Sequence, residues 1–118
     1  MTDMDKEFLT ITSLEETVGR DSLLTLLKMH RINVNDTIAQ LCLMQDSIDY
    51  AEIHMIAHRL RGACGSLGFT RLSELFRHMD QSTKEPDDKT THELIAQIVE
   101  ENNLLKVAVH ARYPEINI

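Results

Sequence analysis

The sequence predicts an all-α protein: an antiparallel up-down-up-down four-helix bundle led by a short N-terminal helix. Apolar residues recur at helical spacing nearly throughout. The 118 residues also contain only four glycines and two prolines, too few for the turns of a sheet protein of this length. Short connections make successive helices antiparallel neighbours. The length suits one domain, and a chain of this size buries roughly two-thirds of the surface it exposes when unfolded. A core is therefore feasible without metal or disulfide staples.

The leader helix is expected over 13–19, where Ser13-x-x-Glu16 has the form of a capping box and Gly19 provides a stop. Asp21 is the candidate cap of a long helix over 22–46 carrying Leu23, Leu24, Leu27, Val34, Ile38 and Leu41, with His30 and Arg31 interrupting its stripe. Asp49-x-x-Glu52 opens a helix over 50–67, which Gly68 ends as a C′ glycine. Thr70 is the candidate cap of a helix over 71–84 with Leu72, Leu75, Phe76 and Met79. After the break at Glu85-Pro86-Asp87-Asp88, Thr90-x-x-Glu93 opens the last helix, over 91–112, which stops before Pro114. The last five residues are expected to fray.

Nineteen Asp and Glu against twelve Lys and Arg give a net charge of −7, which argues against nucleic acid or an anionic membrane as the main partner. The acidic N-terminus lacks the apolar stretch of a secretory signal, and no apolar run approaches membrane-spanning length. Cys42 and Cys64 fall within apolar-periodic stretches and read as core filler rather than a disulfide framework. These features point to a reduced, cytoplasmic chain. The start at Met1 favours a freestanding protein, and without an extra apolar seam a monomer is expected.

The chemistry concentrates in the third bundle helix. At about 100° per residue, Ile53, Ile56, Ala57, Leu60, Cys64 and Leu67 gather on one face. His54, His58, Arg61, Gly62 and Gly65 fall on roughly the opposite, water-facing side. A helix-interior glycine costs about 1 kcal/mol relative to alanine, so two of them need a reason. Gly62 and Gly65 lie one and two turns beyond His58, where missing side chains let a second protein approach the imidazole. Arg61 adds a fixed positive charge beside it. An exposed histidine, a neighbouring cation and a cleared docking surface suit the acceptance of a phosphoryl group from another protein. Imidazole titrates near pH 6.5, so much of it is neutral and nucleophilic at cellular pH. Phosphoryl transfer needs mainly positioning and charge stabilisation. No cofactor is expected on this chain, and the Mg2+ is expected on the partner.

The run His58-Arg59-Leu60-Arg61-Gly62, with Gly68 ten residues after the histidine, resembles the His-x-Leu-Lys-Gly…Gly signature of histidine-containing phosphotransfer (HPt) domains. Ala57, Leu67-Gly68 and Leu72…Phe76…Met79-Asp80 also look like that family's helix pair. The resemblance implies a four-helix bundle that shuttles phosphate between receiver-domain aspartates. It makes His58 the phosphoacceptor, with Arg61 and Gly62 matching the motif's Lys and Gly. Arg for Lys keeps the charge but replaces a point charge with a planar fork. Asp80 stands where family members often carry Glu or Gln. The implied partners are receiver domains of a hybrid sensor kinase and a response regulator, docking on an apolar rim around His58.

Register supports a site near Asp80. A reversal at Gly68–Phe69 sets His58 level with Met79 and Asp80, and Met79 belongs to the core stripe. Asp80 is therefore the candidate to reach the site rim, with Lys84 one turn on as a further candidate to balance phosphate charge. His54 and His58 form an i, i+4 pair, but no third metal ligand is evident. Asn102 lies within the last helix's apolar stripe and reads as a satisfied polar core residue. His30, His78, His92 and His110 enter no constellation.

Two other function classes compete. A histidine kinase core would need a glycine-rich nucleotide site, yet three of the four glycines fall within 62–68. A helical adaptor would bind receiver domains without carrying phosphate.

Overall fold

In the computed structural model, which describes residues 1–117, the chain forms α1 (Asp3–Glu7), α2 (Leu9–Val18), α3 (Arg20–Leu43), α4 (Tyr50–Ser66), α5 (Thr70–Ser82) and α6 (Asp88–Arg112). The last four are the bundle. Each packs on the next, and α6 returns to pack on α3, closing the ring, while α2 lies against α3. The molecule measures 42 × 24 × 21 Å. A helix as long as α3 spans about 36 Å, which accounts for most of the long axis. No helix among the described residues is long and apolar enough to cross a membrane.

The predicted stripes form the core. Leu23, Leu27, Val34 and Leu41 of α3, Ile53, Ala57, Leu60 and Cys64 of α4, Leu72, Phe76 and Met79 of α5, and Ile95, Ile98, Leu105 and Val109 of α6 are all buried. Asp49 caps α4, accepting the Glu52 N–H at 3.2 Å. Gly68 follows α4 with φ +83°, a left-handed conformation that suits glycine.

The other caps differ from expectation. The leader begins at Thr2, which forms a capping box with Asp5; Ser13 lies inside α2. Phe8 divides the leader into α1 and α2 and is buried edge-on to Phe69, with ring centroids 6.0 Å apart. Helix α3 starts at Arg20 behind Gly19, so Asp21 sits in the first turn rather than at the cap, and the helix ends at Leu43, three residues early. Asp87, not Thr90, caps α6, accepting from both the backbone N–H and the hydroxyl of Thr90. Thr70 makes no capping bond to α5, whose Arg71 N–H is taken by Glu7 at 2.8 Å. That carboxylate comes from the leader and pins α1 over the α4–α5 turn.

Three further expectations are corrected. Cys42 is exposed, whereas Cys64 is buried and its thiol is pushed up to about 12 by burial. The tail packs at Tyr113 and Ile116, which are buried, and His110 Nδ1 donates to the Ile116 carbonyl at 2.8 Å, while Ile118 lies outside the described residues. Tyr113 also donates to Glu15 at 3.0 Å, tying the tail to α2. His30 and Arg31 do not interrupt α3 but turn inward, and Arg31 is 0% exposed. Arg31 bonds to the Asn102 side-chain oxygen, and Asn102 donates to Asn35 at 3.1 Å, so Asn102 is a satisfied core residue.

The Gly68 backbone also has no room for a side chain, since a Cβ there would lie 2.6 Å from Thr10 Oγ1. Gly68→Ala should therefore destabilise the fold by on the order of 2 kcal/mol, read as a lower urea midpoint. His30 supplies a pH test. Burial, reinforced by the Arg31 charge, lowers its pKa from 6.5 to about 4. A base with a lowered folded-state pKa adds stability above pH 6.5 that is lost as pH falls toward 4. At pH 5 that loss is about 2 kcal/mol. Glu7 and Glu101 oppose it, because burial raises both carboxyls and their stabilising share is lost as pH rises through the raised values. The difference between wild type and His30→Leu in urea titrations isolates the histidine. The variant should retain more of its stability between pH 7 and pH 5.

Candidate functional site

Helix α4 places His58 on the face opposite its core stripe, and the His58 side chain is 75% exposed. His54, one turn earlier, is 59% exposed, and the two ring centroids are 6.2 Å apart. Between them sits the Asp80 carboxylate from α5, only 16% exposed. Its Oδ1 accepts from His54 Nδ1 at 2.5 Å, and its Oδ2 lies 3.8 Å from His58 Nδ1. A carboxylate only accepts, so His54 Nδ1 carries the proton in that contact. The Nδ1 edge of His58 thus faces a negative charge, which leaves Nε2 as its other nitrogen. The antiparallel register placed Asp80 at this level, and the structure brings it to both histidines.

Gly62 and Gly65 have different surroundings. A Cβ on Gly62 would meet nothing within 4 Å, so Gly62 leaves open surface on the exposed face of α4. A Cβ on Gly65 would lie 3.3 Å from Ser73 Oγ. Although Gly65 is exposed, its small size serves the approach of α5 as well as the outer surface. Ser73 Oγ donates to the Arg61 carbonyl at 2.8 Å, tying the helices together at the same level. The exposed Arg61 guanidinium contributes to lowering the pKa of Glu74, which Arg77 lowers chiefly by hydrogen bonding. Lys84 lies past the end of α5 and lines a groove with His78, Gln81 and Leu94, apart from the groove at His58. The latter groove is bordered by Gln40 of α3 and by His54, Met55 and Arg59 of α4.

Two features escaped the sequence reading. One is the direct link between His54 and Asp80, which becomes visible only once α4 and α5 are in register. The other is which residues form the expected apolar rim: on α3, Leu26, Met29 and Ile32 remain outside the core. Leu26 and Met29 line a groove with Ala63 and Leu67, further along α4 from His58. The remaining histidines have local tasks. His92 Nε2 donates to the Gln45 carbonyl at 2.7 Å, holding the α3–α4 connection to α6, and His78 lies 3.7 Å from Glu74.

The family model of the Hpt domain matches residues 23–108, and the chain belongs to this family. Hpt domains carry phosphoryl groups on histidine in phosphorelays and interact with receiver domains. No curated protein and no solved structure matches the chain. The matched span runs from the start of α3 almost to the end of α6, so it covers the bundle and leaves out the leader.

The two glycines should separate in a stability measurement. Gly62→Ala should raise stability by about 0.5–1 kcal/mol, because alanine is the better helix former and meets no obstacle there. Gly65→Ala should gain less or lose stability, because Ser73 must move. Thermal melts of the two variants check this.

Proposed function

We propose that this chain is a phosphorelay intermediate: His58 accepts a phosphoryl group from a receiver-domain aspartate and passes it to the aspartate of a response regulator. The observation that carries the reading is the setting of His58, an exposed imidazole with a carboxylate at its Nδ1 edge and bare helix backbone at Gly62 one turn away. A helix-borne nucleophile needs its remaining lone pair presented outward, and this arrangement leaves Nε2 for attack.

In the transfer, the Nε2 lone pair attacks phosphorus and the N–P bond forms. The bond from phosphorus to the receiver aspartate breaks, and its electron pair stays on the departing carboxylate. The ring retains its Nδ1 proton and becomes positively charged, facing Asp80. The reverse sequence passes phosphate to the second receiver. Arg61 provides cationic charge beside the phosphoryl group, which suits a reaction governed by positioning and electrostatics. Mg2+ belongs to the receiver, and this chain needs no cofactor of its own.

Receiver docking uses the surface around His58. Met55 exposes apolar area in the groove at His58, Leu26 and Met29 of α3 extend it further along α4, and Gly62 allows close approach. His54 and Gly65 lie on the same exposed side of α4. Lys84 is less well placed for a role at the phosphate, because it lines the separate groove with His78 and Leu94. The chain works as a monomeric carrier in the cytoplasm, and ATP alone should not label it.

The decisive comparison is phosphoryl transfer from a panel of phosphorylated receiver domains to wild type and to His58→Gln. Wild type should acquire an acid-labile, base-stable label and the variant none. A folded wild-type protein that binds receivers but never takes label would favour the adaptor reading instead.

A further inference from the structure

We infer that His54 is a positioning residue for phosphotransfer: by gripping one oxygen of Asp80, it aims the other at His58 Nδ1 and keeps His58 Nε2 free for attack. This rests on His58 being the phosphoacceptor and deepens that reading. The geometry is a histidine–carboxylate–histidine bridge. His54 Nδ1 holds Asp80 Oδ1 at 2.5 Å, whereas Oδ2 stands 3.8 Å from His58 Nδ1. His54 and Asp80 are in full hydrogen-bond contact, while Asp80 and His58 stand just beyond it.

That asymmetry assigns the roles. Asp80 lies near the C-terminal end of α5, and His54 is its only side-chain hydrogen-bond partner among the described residues. A carboxylate held at one oxygen loses most of its rotational choice, so its second oxygen stays on the His58 side. A proton on His58 Nδ1 is favoured by that oxygen, and the hydrogen bond at one ring nitrogen decides which nitrogen keeps its lone pair. As phosphoryl transfer gives the ring positive charge, the 3.8 Å gap can close by a small side-chain rotation. His54 itself touches neither phosphorus nor the transferred oxygens in this scheme. Its contribution is to prepare the carboxylate before the receiver arrives, which avoids reorganisation during the reaction.

The test uses the full chain in wild-type, His54→Ala, His54→Gln and His58→Gln forms, with one phosphorylated receiver domain as donor. All of these positions are exposed, so folding is checked by melting and should persist. His54→Ala should slow phosphoryl uptake at saturating receiver by about tenfold to a hundredfold, a loss that a weakened docking contact alone would not produce. Nitrogen NMR of labelled protein should show His58 losing its preference for a protonated Nδ1 in the same variant. His54→Gln, whose amide can still donate to Asp80, should restore part of both. Uptake unchanged or faster in His54→Ala overturns the inference, and the faster result would make His54 a competitor for Asp80. A matching loss of receiver affinity with an unaltered His58 spectrum overturns it too, making His54 a docking contact. Label on His58→Gln would instead sink the acceptor assignment itself, so the two failures are distinguishable.

Discussion

The close packing of α4 on α5 is the constraint on which the rest of the site depends. Gly65 admits the Ser73 hydroxyl, and that hydroxyl bonds to the Arg61 carbonyl within the same turn of α4. Gly68 reverses the chain at a conformation that suits glycine, with Thr10 of the leader against it. With the turn and the first crossing fixed, the register of the remaining residues follows from helix geometry. Asp80, three turns into α5, then arrives at the level of His54 and His58. A side chain at Gly65 would press on Ser73 Oγ, 3.3 Å away, and so on the bond to Arg61 that holds α5 at this level. The same small residue that could be read as clearing a docking surface therefore also sets the site's geometry.

The leader helices extend this constraint. Glu7 accepts the Arg71 N–H, supplying an acceptor at the first turn of α5 that α5's own N-cap residue does not provide. Arg71 in turn lies 3.6 Å from Glu101 of α6, so one carboxylate from outside the matched span helps connect three elements. Phe8 stacks edge-on against Phe69, and Phe69 meets His30 at 5.3 Å. Buried carboxylates are costly unless paired, and burial raises the pKa of both Glu7 and Glu101. Arg71 offsets part of that cost for both, donating its N–H to Glu7 and facing Glu101 with its guanidinium.

Much of this was legible in the sequence because helical periodicity is a local signal. The core face of α4 from Ile53 to Cys64 and the stop at Gly68 both follow from residue type and spacing. The level of Asp80 followed from counting outward from the turn. The caps were harder, because what satisfies a helix end need not be local. Asp87 outcompeted Thr90 by standing three residues earlier, and Glu7 reaches Arg71 across 64 residues of sequence. Ser13 had the right pattern but lay inside a helix already begun at Leu9. The inward turn of Arg31 was illegible for a different reason. Charged residues are normally exposed, and only the position of Asn102 in the α6 stripe hinted at a buried polar partner.

Arg31 shows how the bundle separates stability from chemistry. Burial pulls its guanidinium down to about 10, so it remains charged at neutral pH while bonded to a neutral Asn102. Replacing such a charge with an apolar residue of similar volume is often neutral or stabilising in other proteins, so stability alone does not account for it. Only Nη2 of the guanidinium meets the Asn102 oxygen, while Nε and Nη1 are buried without a partner, so the group acts as a single directional tie between α3 and α6. Arg31 also lies near Cys64 of α4, whose thiol its charge influences. The α4–α5 register sets the distance from Asp80 to the histidines, and the Arg31–Asn102 bond limits movement of the helices that brace that pair. His58 then stands three-quarters exposed on the outer face of a helix whose other face is packed in the core.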